Sequence, residues 1–224
     1  MLLLRSLPAA VAVSFALVAP ATAAPDDDKP PAYQPREHYT KYEYRIPMRD
    51  GKRLFTAVYV PKDASRRYPF LMVRTPYSCG PYGVDRLEGL RQLAPSEDFL
   101  TAGYIFVCQD VRGRYQSEGQ WRVMTPHLAA KRGPADVDES TDTHDSVQWL
   151  ITHVAGNNGR VGLWGISYPG YFAGVGGIDS HPAVKAISPQ APCANWFFGD
   201  DVHHNGGFML QDLVDFMAFF GPKR

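Results

Sequence analysis

Apolar and polar positions along this chain change period several times, and each change marks an element. Tyr42-Glu43-Tyr44-Arg45-Ile46 alternates with period two, Arg49-Asp50-Gly51 breaks the alternation, and residues 54–60 are rich in strand formers. Together they predict an antiparallel hairpin beginning near Tyr42. A further strand is expected over residues 68–73, running into Arg74-Thr75-Pro76-Tyr77. Residues 98–102 read as the end of a helix closed by Gly103. Tyr104-Ile105-Phe106-Val107-Cys108 is continuously apolar, as expected of a central strand covered on both faces. The period then becomes helical over residues 143–154, where Val147, Leu150, Ile151 and Val154 fall at i, i+3, i+4 and i+7. Asn157-Asn158-Gly159 ends that helix, and Arg160-Val161-Gly162-Leu163-Trp164 reads as a strand. A short helix over residues 171–175 and a strand over residues 184–188 follow.

A hairpin followed by alternating strands and helices predicts an α/β fold with a mostly parallel sheet and right-handed crossovers. The N-terminus has a different character. Arg5 precedes an apolar run, and Ala21-Thr22-Ala23 matches an A-x-A cleavage site, so residues 1–23 read as a secretory signal peptide. The run is short for a membrane anchor, and no later segment reaches spanning length. The mature chain is therefore expected in the periplasm or secreted. Residues 24–41, rich in proline and aspartate near their start, read as a flexible leader. Residues 42–194 form the α/β core. From residue 195 the apolar positions cluster around Phe208, Met209, Leu210, Leu213, Phe216, Phe219 and Phe220, the start of a helical insertion.

Charge narrows the partners. Lysine plus arginine and aspartate plus glutamate each number 23, without a basic stripe that would suit nucleic acid. Of the three cysteines, Cys79, Cys108 and Cys193, none forms a C-x-x-C pair, so no metal site is expected. Cys108, inside an apolar run, reads as a buried free thiol.

The candidate chemistry lies in Gly165-Ile166-Ser167-Tyr168-Pro169-Gly170, between a strand and a helix. A serine on such a turn is the nucleophile elbow of an α/β-hydrolase core. Proline stands where glycine usually follows by two residues. It suits a first helical position and leaves the Tyr168 N–H free to serve as an oxyanion donor. His203 and His204, taken as adjacent residues of a helix, read as structural. Asp110, Arg112, Arg114 and Glu118 read as braces of the loop after a central strand. The acidic run Asp136, Asp138, Glu139, Asp142 and Asp145 reads as a helix start favoured by the macrodipole.

The elbow, with Arg74-Thr75-Pro76-Tyr77 upstream and Asp110-Val111-Arg112-Gly113-Arg114 plus Ser117-Glu118-Gly119 between, resembles the cocaine esterase and X-prolyl dipeptidyl peptidase group of serine hydrolases. Gly199-Asp200-Asp201 and His203-His204-Asn205-Gly206 are similar to the α-amino-acid ester hydrolases of that group. The resemblance implies an acyl-enzyme mechanism with Ser167 as nucleophile. It implies the Tyr77 hydroxyl as second oxyanion donor and Asp201 as part of a carboxylate cluster for a substrate ammonium. It implies small ester or amide substrates (α-amino acyl esters and β-lactam side-chain amides first), no cofactor, no nucleic acid, and no membrane after signal cleavage. General carboxylesterase and X-prolyl dipeptidyl peptidase are the enzymatic alternatives; an inactive fragment or binding module is the other. In the family the triad acid and histidine follow the insertion. The chain is thus expected to be the N-terminal part of a longer enzyme, itself a candidate homo-oligomer, with an incomplete sheet whose last strand is exposed.

Overall fold

The computed structural model describes residues 33–195 and 202–220. The expected signal peptide, the leader up to residue 32, and Asp200 and Asp201 lie outside the described residues. One sheet holds β1 (Tyr39–Pro47), β2 (Arg53–Pro61), β3 (Tyr68–Thr75), β4 (Ile105–Asp110), β5 (Asn157–Ile166) and β6 (Val184–Gln190). Their order is β1-β2-β4-β3-β5-β6. The pairs β1/β2 and β2/β4 are antiparallel; β3/β4, β3/β5 and β5/β6 are parallel. The α/β fold with a largely parallel sheet is therefore as the periodicity predicts. Helices are α1 (Pro35–His38), α2 (Leu90–Leu93), α3 (Glu97–Ala102), α4 (Glu139–His153), α5 (Tyr168–Gly176) and α6 (Leu210–Phe220). A two-stranded ribbon, β7 (His203–His204) with β8 (Gly207–Phe208), precedes α6. Among the described residues no helix is long and apolar enough to cross a membrane.

All six residues of β4 are buried. Successive side chains of a strand leave on opposite faces. Accordingly Ile105 and Val107 join a core with Val147 and Leu150 of α4, whereas Phe106 lies against the rings of Tyr39 and Tyr104. β1 begins at Tyr39, before the Tyr42 start that alternation predicts. Tyr39 is buried, with its hydroxyl on Leu100 O, and Lys41 is buried too. The Lys41 ammonium donates to Pro81 O and Gly83 O and pairs with Glu43. A buried lysine reads as surface in a hydropathy pattern, which is why the strand's first turn of alternation is hidden.

The same effect shortens the predicted α4. It begins at Glu139, with Asp138 as N-cap accepting from Thr141 N while Thr141 Oγ1 accepts from Asp138 N. Glu139 and Asp142 are the helix-start acids expected from the sequence, and both are buried. Arg74 Nη1 donates to Glu139 Oε2 at 3.0 Å, and Arg112 bridges Asp142 and Asp50 at 2.6 Å each. The cations come from β3 and from the loop after β4, so the pairing depends on tertiary structure. Breaking such a pair strands a buried charge.

Cys79 and Cys108 form a disulfide, which corrects the reading of Cys108 as a free thiol. The chain leaving β3 folds back over the end of β4, bringing residue 79 onto a strand far away in sequence. The bridge closes a span of 29 residues. Replacing both cysteines by serine is expected to cost about 3 kcal/mol of stability by restoring freedom to the unfolded chain. A lower urea midpoint, with a slope that stays equal or rises as the unfolded chain expands, checks this; an unchanged midpoint contradicts it.

At the other edge of the sheet, β6 has six of its seven residues exposed, Ile187 at 47%. It is the exposed edge strand that the sequence predicts.

Candidate active site

β5 ends at Ile166 and α5 starts at Tyr168, so Ser167 alone makes the turn. Its backbone sits at φ 61°, ψ −124°, a region that non-glycine residues occupy only when the surroundings impose it. Four contacts impose it here. Ser167 N–H donates to Gln190 O of β6 at 2.9 Å, and Tyr171 N–H donates to Ser167 O at 3.0 Å. A side chain at Gly165 would place its Cβ 2.7 Å from Pro169 Cβ and closer still to the Pro169 carbonyl. A Cβ at Gly170 would lie 2.6 Å from Gln190 O. The displaced second glycine of the motif is thereby explained: Pro169 packs onto Gly165, and the small residue is needed one position later, where β6 passes.

Ser167 is exposed, and its side chain caps no helix N–H. Its own N–H is engaged by Gln190 O. The Tyr168 N–H belongs to the first turn of α5, where a helix leaves donors without intrahelical partners. The Tyr168 side chain points inward: the ring is fully buried, and its oxygen accepts from Met124 N at 2.8 Å. Burial pushes its phenol well above the usual tyrosine range, so it stays neutral. Tyr171 repeats the device, donating to Thr125 O, and its phenol is likewise raised by burial.

Tyr77 lies two residues beyond the end of β3. Its ring meets that of Tyr168 edge-on, with centroids 6.3 Å apart, and it is 38% exposed. Phe219 and Phe220 of α6 approach the Tyr77 ring at 5.9 and 5.7 Å. Trp121 stacks on Phe220, and Phe216 faces Tyr168. α6 thus lays an aromatic face beside the Tyr168 ring at the start of α5. The Arg114 guanidinium sits over Tyr115, Trp121 and Phe220 and donates to Pro76 O next to Tyr77.

Of the residues singled out in the sequence, Ser167 and Tyr168 are consecutive at the start of α5, and the Tyr77 ring meets that of Tyr168; Asp201 lies outside the described residues. His203 and His204 lie in a strand, β7, not a helix, and His203 packs against Phe208. His127 faces Asp138 and Asp179, His144 meets His181, and His153 stacks on Trp149. The loop braces behave as expected: Glu118 pairs with Arg53, and Arg112 with Asp50 and Asp142. Sequence reasoning missed how tightly Asp110 is engaged and missed the bridge beside it. The signal available was the position of Cys79 two residues after Tyr77, and of Cys108 two before Asp110.

An exposed serine on a strained strand-to-helix turn, beside the first N–H of a helix, is an arrangement suited to nucleophilic attack. Residues 50–220 match the X-Pro dipeptidyl-peptidase (S15) family. Cocaine esterase of Rhodococcus sp. (strain MB1 Bresler) is 31% identical over 176 residues, 79% of this chain and 28% of that protein. Among solved structures, an aminopeptidase from a marine sediment Thaumarchaeota archaeon aligns with TM-score 0.71 and 36% identity. It covers 85% of this chain and 32% of its own. A selenomethionine-labelled α-amino acid ester hydrolase aligns with TM-score 0.65 and 34% identity, covering 85% and 31%. The chain spans about a third or less of the length of each of these relatives. It belongs to the S15 family of α/β-hydrolase-like proteins.

Proposed function

We propose that this S15-family chain supplies the nucleophile and oxyanion site of a serine hydrolase acting on small esters or amides. The observation that carries the reading is Ser167 itself, exposed at φ 61° between β5 and α5. Ser167 Oγ attacks the carbonyl carbon, forming a C–O bond and a tetrahedral oxyanion. The Tyr168 N–H and the Tyr77 hydroxyl donate to that oxygen. Collapse expels the alcohol or amine, which takes up the serine proton, and leaves an acyl ester on Ser167. Water then attacks that ester, releases the acid and restores the hydroxyl. Both steps need a histidine base oriented by an acid. The mechanism assigns neither to a residue described above.

Within this class the preferred substrates are α-amino acyl esters. The likeness to the α-amino acid ester hydrolase and the aminopeptidase supports that choice, with Asp201 the carboxylate that would hold the ammonium. The likeness to cocaine esterase favours a second reading, a general carboxylesterase. Export to an oxidising compartment is part of the proposal, supported by the apolar N-terminus and the Cys79–Cys108 bridge.

In a protein that carries the histidine base, a fluorophosphonate is expected to add once, on the peptide containing Ser167, as read by mass spectrometry; an unlabelled Ser167 peptide there contradicts the hydrolase reading. An α-amino acyl p-nitrophenyl ester should exceed its N-acetyl counterpart in kcat/KM by about 10- to 100-fold, the value of one charge-assisted hydrogen bond. Asp201→Asn should erase that preference. Equal rates on both esters in the unaltered protein would leave the carboxylesterase reading standing instead.

A further inference from the structure

Tyr77 sits on a segment without secondary structure, yet an oxyanion donor must be aimed in advance of the reaction. What aims it is found beneath. β3 and β4 run parallel and end level, Thr75 paired with Asp110. The chain leaves both strands at the same height, and Val111 N–H donates back to Thr75 O at 3.1 Å. The Asp110 carboxylate, fully buried, stands between the two departing loops. Its Oδ1 accepts from Cys79 N at 2.8 Å, and its Oδ2 accepts from the Tyr82 hydroxyl at 2.9 Å and Gln116 N at 3.2 Å. The Tyr82 hydroxyl also meets Ser78 Oγ at 2.9 Å, and Ser78 Oγ accepts from Gly80 N. Tyr77 N–H donates to Thr75 Oγ1. The Cys79–Cys108 bridge adds a covalent tie two residues from each partner.

A buried carboxylate normally needs a cation. This one has its shortest bonds to neutral donors, and burial holds its pKa above the ordinary aspartate value despite them. The described mechanism does not use it. An apolar residue there would leave Cys79 N–H, Gln116 N–H and the Tyr82 hydroxyl without this acceptor, so the carboxylate holds in place the groups that bond to it.

We infer that Asp110 is a positioning residue for the oxyanion arm, residues 76–82, and sets the reach of the Tyr77 hydroxyl toward the substrate carbonyl. This rests on the reading of Tyr77 as a donor. Asp110→Asn keeps the volume but retains one acceptor oxygen where two are used. Its NH₂ group must then face either Cys79 N–H or Gln116 N–H, a donor against a donor. One loop loses its anchor, and the fold keeps its hydrophobic core.

The test is a double-mutant cycle on ester hydrolysis with Asp110→Asn, Tyr77→Phe and both together. Asp110→Asn is expected to lower kcat by about 10- to 100-fold with KM within about threefold, because a misaimed oxyanion donor acts in the transition state. In the Tyr77→Phe background it should lower kcat by no more than about twofold, since the hydroxyl it aims is gone. An equal loss in both backgrounds, or a loss confined to KM, overturns the inference. If Tyr77→Phe alone leaves kcat unchanged, the donor reading itself has failed, a result distinct from additivity. Should Asp110→Asn not fold, Tyr82→Phe serves in its place. It removes one bond to Asp110 and keeps the ring edge-on to Phe55 at 5.0 Å. The same non-additivity with Tyr77→Phe is expected, on a smaller loss in kcat.

Discussion

Ser167→Ala is expected to reduce ester hydrolysis by about 10⁴- to 10⁶-fold while leaving stability unchanged within about 0.5 kcal/mol. The rate loss follows from the mechanism: without Oγ no acyl bond forms, and only binding and the oxyanion donors remain. The unchanged stability follows from the turn. Alanine has the same Cβ as serine and suffers the same φ 61° strain, so the cost of the turn is carried equally by both proteins. The lost hydroxyl is exposed and caps no helix N–H. Turnover with matched thermal melts checks both halves. A variant retaining more than about 1% of the rate would remove Ser167 from the chemistry. A variant that melts far below the parent would show that the hydroxyl has a structural bond.

Tyr77→Phe carries the next largest effect. The ring keeps its contacts with Tyr168, Phe219 and Phe220, so the aromatic wall survives the change. Only the phenolic donor goes. Removal of one oxyanion donor costs about 10²- to 10³-fold in kcat, or about 3–4 kcal/mol of barrier. KM should move little, because the ground-state carbonyl is a weaker acceptor than the oxyanion. Steady-state kinetics separate the two. A loss borne by KM would make Tyr77 a substrate contact; no loss would make it a wall residue.

The elements legible in the sequence were those in which burial and hydropathy agree. β4 is apolar on both faces and covered on both, and the elbow lies between a strand and a helix as its glycines require. The parts that escaped were those stabilised by pairing across distant segments. Lys41, Glu139 and Asp142 look like surface residues until Pro81, Arg74 and Arg112 are placed beside them. The disulfide was hidden for the same reason: three cysteines allow several pairings, and only the return of the chain after β3 over the end of β4 selects one. The place of Ser167 on the turn could be read because the signals for it are local. The hold on Tyr77 could not, because it is distributed over Asp110, Tyr82 and Cys79.

The hydrogen bond from Ser167 N–H to Gln190 O has a consequence for how such chains can vary. Gln190 contributes a carbonyl, which every amino acid possesses, so the identity of residue 190 is free in this respect. Its register is not. The same oxygen occupies the space above Gly170, and it arrives there only if the stretch between α5 and β6 keeps its length or takes up the change in a loop. Substitutions along that stretch should be absorbed, whereas a one-residue insertion within β6 would present the wrong carbonyl and invert the strand's faces. The Ser167 hydroxyl is therefore placed by the register of a strand downstream of it, a constraint that inspection of its own hexapeptide would never reveal.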